Sequence, residues 1–127
     1  MNTRILIVDD NVLDGVLTMK ALSDCALNFI IEMTADGADV IRLLANNVYD
    51  LMLLDIKMPL MDGLEFLAYA KREFITIPPT IVVSSSGLQS DIDSALLLGA
   101  IAYVQKSMDL PEFRAQLTAA IKNVGLC

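Results

Sequence analysis

No histidine occurs in this chain of 127 residues. Its absence removes the usual general base near neutral pH, the commonest side-chain ligand for transition metals and any phosphohistidine relay within the chain. Chemistry has to run on carboxylates, hydroxyls or lysine. Cysteine is scarce as well: Cys25 and Cys127 stand far apart, with neither a CxxC spacing nor a neighbouring histidine. That pattern argues against a disulfide framework and against a zinc site, and it suits a reducing cytoplasm. Long apolar runs are missing too. Hydrophobic residues form 55% of the chain, yet stretches such as Leu51–Leu54 fall far short of the roughly 20 residues that cross a bilayer. Ile5–Val8 is likewise too short for the apolar core of a signal peptide, so neither membrane insertion nor export is expected. Basic residues are few, 9 against 16 acids, for a formal charge of −7. Nucleic acid phosphates are held chiefly by lysine and arginine, so direct nucleic-acid binding is not expected either.

What is present is enough for one compact core, and residues 1–127 read as a single domain. Short apolar, often β-branched runs recur at Ile5–Val8, Phe29–Ile31, Leu51–Leu54, Ile81–Val83 and Ala100–Val104. Between them lie segments with apolar residues at three- and four-residue spacing: Val12–Leu22, Ala38–Leu44, Leu64–Ala70, Ile92–Leu98 and Phe113–Val124. The first set predicts five buried strands and the second five helices. Strict alternation, with strands apolar on both faces, predicts an α/β fold: a doubly wound five-stranded parallel sheet in a three-layer αβα arrangement. Asp91 is placed to cap the fourth helix, Gly99 to end it, and Pro111 to sit in the first turn of the fifth. Pro78 and Pro79 suit the entry to the fourth strand, where no ladder donor is required.

In open parallel sheets, ligands bind at the carboxyl ends of the strands, near the point where strand order reverses. Asp9 and Asp10 directly follow the first apolar run and Asp55 directly follows the third, so parallel neighbours would bring these acids into one crevice. Crowded carboxylates raise each other's pKa unless a cation neutralises them. A small cluster of hard oxygen ligands favours Mg²⁺, which keeps several waters and leaves a position open for a phosphate oxygen. The fourth and fifth runs end on the same edge, in Ser84–Ser86 and Lys106. A hydroxyl donor and a fixed ammonium are what a bound or transferring phosphoryl group requires, because catalysis there is mostly positioning and charge stabilisation.

Taken together, Ile5–Asp10, Asp55-Ile56-Lys57-Met58-Pro59 with Asp62-Gly63, Ser84, and Gly99-Ala100 followed by Tyr103 and Lys106 resemble the receiver domains of two-component response regulators in order and spacing. The likeness covers essentially the whole chain. It implies the (βα)5 fold of CheY-like, flavodoxin-like proteins. It further implies that Asp55 is the phosphoacceptor, taking a phosphoryl group from the phosphohistidine of a histidine kinase or phosphotransfer protein. Asp9, Asp10 and Asp55 would hold Mg²⁺ with the backbone carbonyl of Lys57. Lys106 would pair with Asp55 or its phosphate, and the Ser84 hydroxyl would bond a phosphoryl oxygen. Ser84 and Tyr103 would be switch residues that pass the change to a downstream protein target. Such a chain catalyses only its own phosphorylation and dephosphorylation, and is not otherwise an enzyme.

The chain departs from that pattern in places. Lys106 is followed by Ser107 where the family usually has a proline whose peptide bond is commonly cis; before serine a cis bond costs roughly 3–4 kcal/mol, so a trans bond is expected. Gly15 falls inside the first helix, at about 1 kcal/mol of lost propensity relative to alanine. Leu96, Leu97 and Leu98 cannot all face one core side of the fourth helix. An outward leucine there would join a partner or homodimer surface made by the fourth helix, fifth strand and fifth helix. Two other readings stay open. One is a receiver-like interaction module that no longer takes phosphate. The other is a phosphatase of the haloacid dehalogenase type, against which stands Lys57, where that family places a second acid two residues after its nucleophile.

Overall fold

The computed structural model describes residues 3–23, 25 and 28–126. Its elements alternate as expected: β1 (Thr3–Val8), α1 (Val12–Leu22), β2 (Phe29–Thr34), α2 (Gly37–Asn46), β3 (Leu51–Leu54), α3 (Gly63–Arg72), β4 (Thr80–Ser84), α4 (Gln89–Leu97), β5 (Ala102–Gln105) and α5 (Leu110–Asn123). All strands pair in parallel, in the order β2-β1-β3-β4-β5. The period of two along each strand divides the core. Leu6, Val8, Met52, Leu54 and Val82 face one side, packing with Val40, Phe66, Leu67 and Ala95 from α2, α3 and α4. Ile5, Ile7, Leu51, Leu53, Ile81 and Val83 face the other, packing with Ala21, Leu22, Phe113, Leu117 and Ile121 from α1 and α5. A sheet apolar on both faces and covered on both is the stable solution for parallel strands.

Helix starts are set by polar caps. Asn11, Asp36 and Asp109 each accept a backbone N–H in the first turn of α1, α2 and α5, and Asp62 forms a full capping box with Glu65 at α3. The start of α4 differs from expectation. Its cap position is Leu88, with no side-chain bond, and Asp91 lies inside the first turn, because its carboxylate is engaged by Ser86 and Lys57 instead. Gly99, in the left-handed region at φ 114°, follows the end of α4, and Pro111 lies in the first turn of α5. Thr80 opens β4 directly after the two prolines, and Pro79 offers its carbonyl to Met52.

Gly15 packs against β2: a Cβ there would lie 2.2 Å from the terminal methyl of Met33, the end of a flexible and exposed side chain that would have to swing aside. A second correction concerns Cys25, which is buried and disulfide-bonded, where its spacing argued otherwise; Cys127 lies outside the described residues. Separation in sequence misleads here because α1 and α5 pack side by side. Cys25 accordingly shares a core cluster with Ile121, Val124 and Leu126 at the far end of the chain.

Candidate functional site

The strand order reverses between β1 and β3, so the chain leaving these two neighbours turns to opposite sides and opens a crevice at their carboxyl ends. Asp9 follows β1 and Asp55 follows β3, and both are buried. Their carboxylates are fixed in the same way. Oδ1 of Asp9 accepts the Asn11 N–H at 2.9 Å, and Oδ1 of Asp55 accepts the Lys57 N–H at 2.9 Å. Each acid thus turns its own loop with Oδ1 and points Oδ2 into the crevice. Gly63 permits the tight approach of α3, since a Cβ there would meet the Asp55 carbonyl oxygen at 2.4 Å.

Lys106, one residue beyond β5, reaches back across the edge. Its Nζ donates to Oδ2 of Asp9 at 2.8 Å, of Asp14 at 2.9 Å and of Asp55 at 2.9 Å. The peptide bond after Lys106 is trans, as the serine predicts, since no described peptide bond is cis. Asp9, Asp10 and Asp55 each offer a carboxylate oxygen within 4.8 Å of the others, with Asp10 exposed at the mouth. An all-oxygen set of this size, open on one side to water, fits a hard divalent cation.

The electrostatics follow from burial and from this pairing. Burial pushes the Asp9 carboxyl above the usual range, with the nearby Asp55 charge adding to the effect, while the Lys106 and Asn11 hydrogen bonds only partly offset it. Burial alone would lower the Lys106 ammonium, but its hydrogen bonds to Asp55, Asp9 and Asp14 outweigh that and move it upward. Lys106 is therefore a fixed positive charge, and the cluster retains a net negative charge that a cation can neutralise.

Ser84 is fully buried at the end of β4, its Oγ accepting the Ser86 N–H at 3.2 Å. Tyr103, half-buried on β5, donates its hydroxyl to the Ser86 carbonyl at 2.7 Å. Ser86 in turn donates its hydroxyl to Asp91, and Lys57 pairs with the same carboxylate at 3.3 Å. Those contacts, the Ser86 bond first, hold the Asp91 carboxyl below the ordinary range. The structure thus brings together Asp9, Asp10, Asp55 and Lys106, sets Ser84 at the next strand end, and ties Tyr103 and Lys57 to the segment entering α4.

Sequence reasoning missed Asp14. The available signal was an acid in the first turn of the helix that follows the Asp9-Asp10 pair, three residues after its cap Asn11.

The family model for the response regulator receiver domain matches residues 5–118. The chain belongs to that family, and its class is a signalling domain of two-component systems. Among curated proteins it is 29% identical over 126 residues to the response regulator MprA of a Mycobacterium species, covering 98% of this chain and 53% of that protein. It is 39% identical over 89 residues to a transcriptional regulatory protein, YcbL, of Bacillus subtilis, covering 68% of this chain and 38% of the relative. The chain therefore spans about half or less of the length of these relatives. Among solved structures, the phosphorylated cyanobacterial phytochrome response regulator RcpA superposes with a TM-score of 0.83 at 28% identity, covering 96% of this chain and 93% of that one. Thermotoga maritima TrrA, solved with Mg²⁺ and BeF, gives 0.76 at 28% identity, covering 96% and 98%.

Proposed function

We propose that the chain is a phosphoacceptor switch in which Asp55 takes a phosphoryl group from the phosphohistidine of a histidine kinase or phosphotransfer protein. The observation that carries this reading is the meeting of Asp9, Asp55 and Lys106 at three strand ends, with Asp10 beside them. Oδ2 of Asp55 attacks phosphorus, the bond from phosphorus to the imidazole nitrogen breaks, and the imidazole leaves with that electron pair. An acyl phosphate remains on Asp55, and water later hydrolyses it. Lys106 offers fixed positive charge to the phosphoryl oxygens, and the Lys57 N–H on Oδ1 leaves Oδ2 as the nucleophile. Asp9, Asp10, Asp55 and the Lys57 carbonyl are the residues that would hold Mg²⁺, which supplies charge neutralisation for the transferring group.

The phosphoryl group adds about −1.5 to −2 charges and three acceptor oxygens. Ser84 satisfies one of them by turning its hydroxyl toward Asp55, which withdraws it from the Ser86 N–H. Ser86 is also held by Tyr103, so the two switch residues act on one segment, and its rearrangement moves the start of α4. A population shift between two arrangements of this segment is what a downstream protein reads. The setting we assign is the cytoplasm, on family membership and not on cysteine usage, since Cys25 is disulfide-bonded; output passes through a protein partner or through sequence beyond this chain. Among the described residues, no helix is long and apolar enough to cross a membrane. The partner face is that of α4, β5 and α5, where Leu96 and Leu97 are exposed while Leu98 packs on the core.

Intact mass after incubation with Mg²⁺ and acetyl phosphate tests the reading. One added phosphoryl group is expected, dependent on Mg²⁺ and absent in Asp55→Asn. No gain under rapid quenching, with a phosphohistidine donor as well as acetyl phosphate, refutes it and favours the interaction module.

A further inference from the structure

Asp14 lies outside the acids gathered for a cation, yet it shares their lysine. It stands in the first turn of α1, its N–H bonded to the Asn11 cap at 3.1 Å and its Oδ2 2.9 Å from Lys106 Nζ. An ammonium has three hydrogens to donate, and among the described residues Asp9, Asp14 and Asp55 are the ion-pair partners that receive them. The reading of Asp55 as phosphoacceptor, on which this inference rests, gives those partners different fates. A cation in the cluster draws on Asp9 and Asp55, whose oxygens lie with that of Asp10 within 4.8 Å. Phosphoryl transfer then ties up Oδ2 of Asp55 in a covalent bond. Asp14 is not in that group, and its oxygen stays available to Lys106 through both changes.

We propose that Asp14 is a positioning residue for Lys106: it keeps the ammonium anchored beside Asp55 when a cation takes over Asp9. Lys106 then meets the incoming phosphoryl oxygens from a fixed place. The surroundings suit this role. The lysine side chain is 14% exposed and that of Asp14 35%, so the charge is largely withdrawn from water while its partner sits at the rim. Behind the pair, Leu17, Ser107, Leu110 and Phe113 close a space of only about 40 Å³.

The test is NMR of the Lys106 ammonium in ¹⁵N-labelled full chain, with and without Mg²⁺, for the wild type, Asp14→Asn and Asp14→Glu. The rate of mass gain from acetyl phosphate is followed in parallel. The wild type is expected to keep a slowly exchanging Lys106 signal in both conditions. Asp14→Asn should keep it without metal and lose it when Mg²⁺ is added, and should take up the phosphoryl group about fivefold more slowly, the loss of one partly exposed ion pair. Asp14→Glu, which retains the charge, should restore both. A purely structural role would not make the signal depend on Mg²⁺. An Asp14→Asn protein that holds the signal with Mg²⁺ bound overturns the proposal, as does an undiminished rate. If the wild type itself gains no mass, the phosphoacceptor reading fails, and the Mg²⁺ dependence of the signal alone decides for or against Asp14.

Discussion

Replacing Lys106 with methionine keeps the length of the side chain and removes its charge, and the structure sets what should follow. Asp9 and Asp55 are 6% and 5% exposed, so truncation leaves two buried carboxylates facing each other without the ammonium they share. Breaking a buried pair by removing one partner costs roughly 3–5 kcal/mol. Asp14 and Asp10 lie nearer water, and Asp9 can relieve part of the strain by taking up a proton, so the metal-free variant should lose about 3 kcal/mol. Mg²⁺ should return much of this. Lys106 occupies Oδ2 of both Asp9 and Asp55, and by linkage a group that competes with the cation weakens it by the same factor by which the cation weakens the group. The variant should therefore bind Mg²⁺ more tightly, and a concentration about thirty-fold above its dissociation constant would add about 2 kcal/mol. Urea unfolding of both proteins, with and without Mg²⁺, measures all four stabilities. A metal-free variant as stable as the wild type, or an equal Mg²⁺ increment in both, would refute the assignment of Lys106 as the counter-charge of the acid cluster.

Gly63→Ala forces a Cβ against the Asp55 carbonyl oxygen; about 2 kcal/mol of stability should be lost, together with phosphoryl uptake, as seen by urea unfolding and intact mass. Tyr49 is buried and donates its hydroxyl to Glu32 at 2.8 Å; burial first, and that bond second, push its pKa up to about 12. A folded pKa raised above 10 means that this contribution to stability is fully present below pH 10 and is lost as pH rises toward about 12. Tyr49→Phe should flatten that part of the stability profile, and an unchanged slope would remove Tyr49 as its cause. Leu97→Glu should leave phosphorylation intact and weaken self-association or partner binding, because Leu97 is 77% exposed on α4; unchanged sedimentation and partner capture would dismiss that face.

The alternation of strands and helices was legible because each run carried a clear period, and because a parallel sheet needs apolar residues on both faces. Asp9, Asp10, Asp55 and Lys106 were legible for a related reason: a residue directly after a parallel strand has only one edge to occupy. Features that join different elements were not. Nothing in the neighbourhood of Asp14 or Asp91 tells which lysine each will meet, since the pairing depends on how α1 and α4 lie over the strand ends. Nor does sequence show that Arg4, Glu32 and Tyr49 from three separate segments close the opposite end of the sheet, with the Arg4 guanidinium over the Tyr49 ring. Cys25 failed for the same reason, and so did the fourth-helix leucines, two of which face water where one was expected.

The acid cluster works against the fold that carries it. Natural sequences are locally consistent except where a site requires otherwise, and here the exception is buried carboxylates at the ends of the neighbouring strands β1 and β3. Lys106 restrains their repulsion without cancelling it, since one ammonium faces Asp9, Asp14 and Asp55 while Asp10 remains at the mouth. On the proposed reading, a second lysine here would compete with the cation for the same carboxylate oxygens and would itself cost desolvation. A residual negative charge leaves the site dependent on what binds it. The segment from Ser84 to Asp91 is held by a few polar contacts to Tyr103 and Lys57 rather than by packed apolar side chains. On the proposed phosphoacceptor reading, a charge change at Asp55 would be large against the bonds it has to rearrange, and a local event would then move α4 while the core beneath it stays fixed.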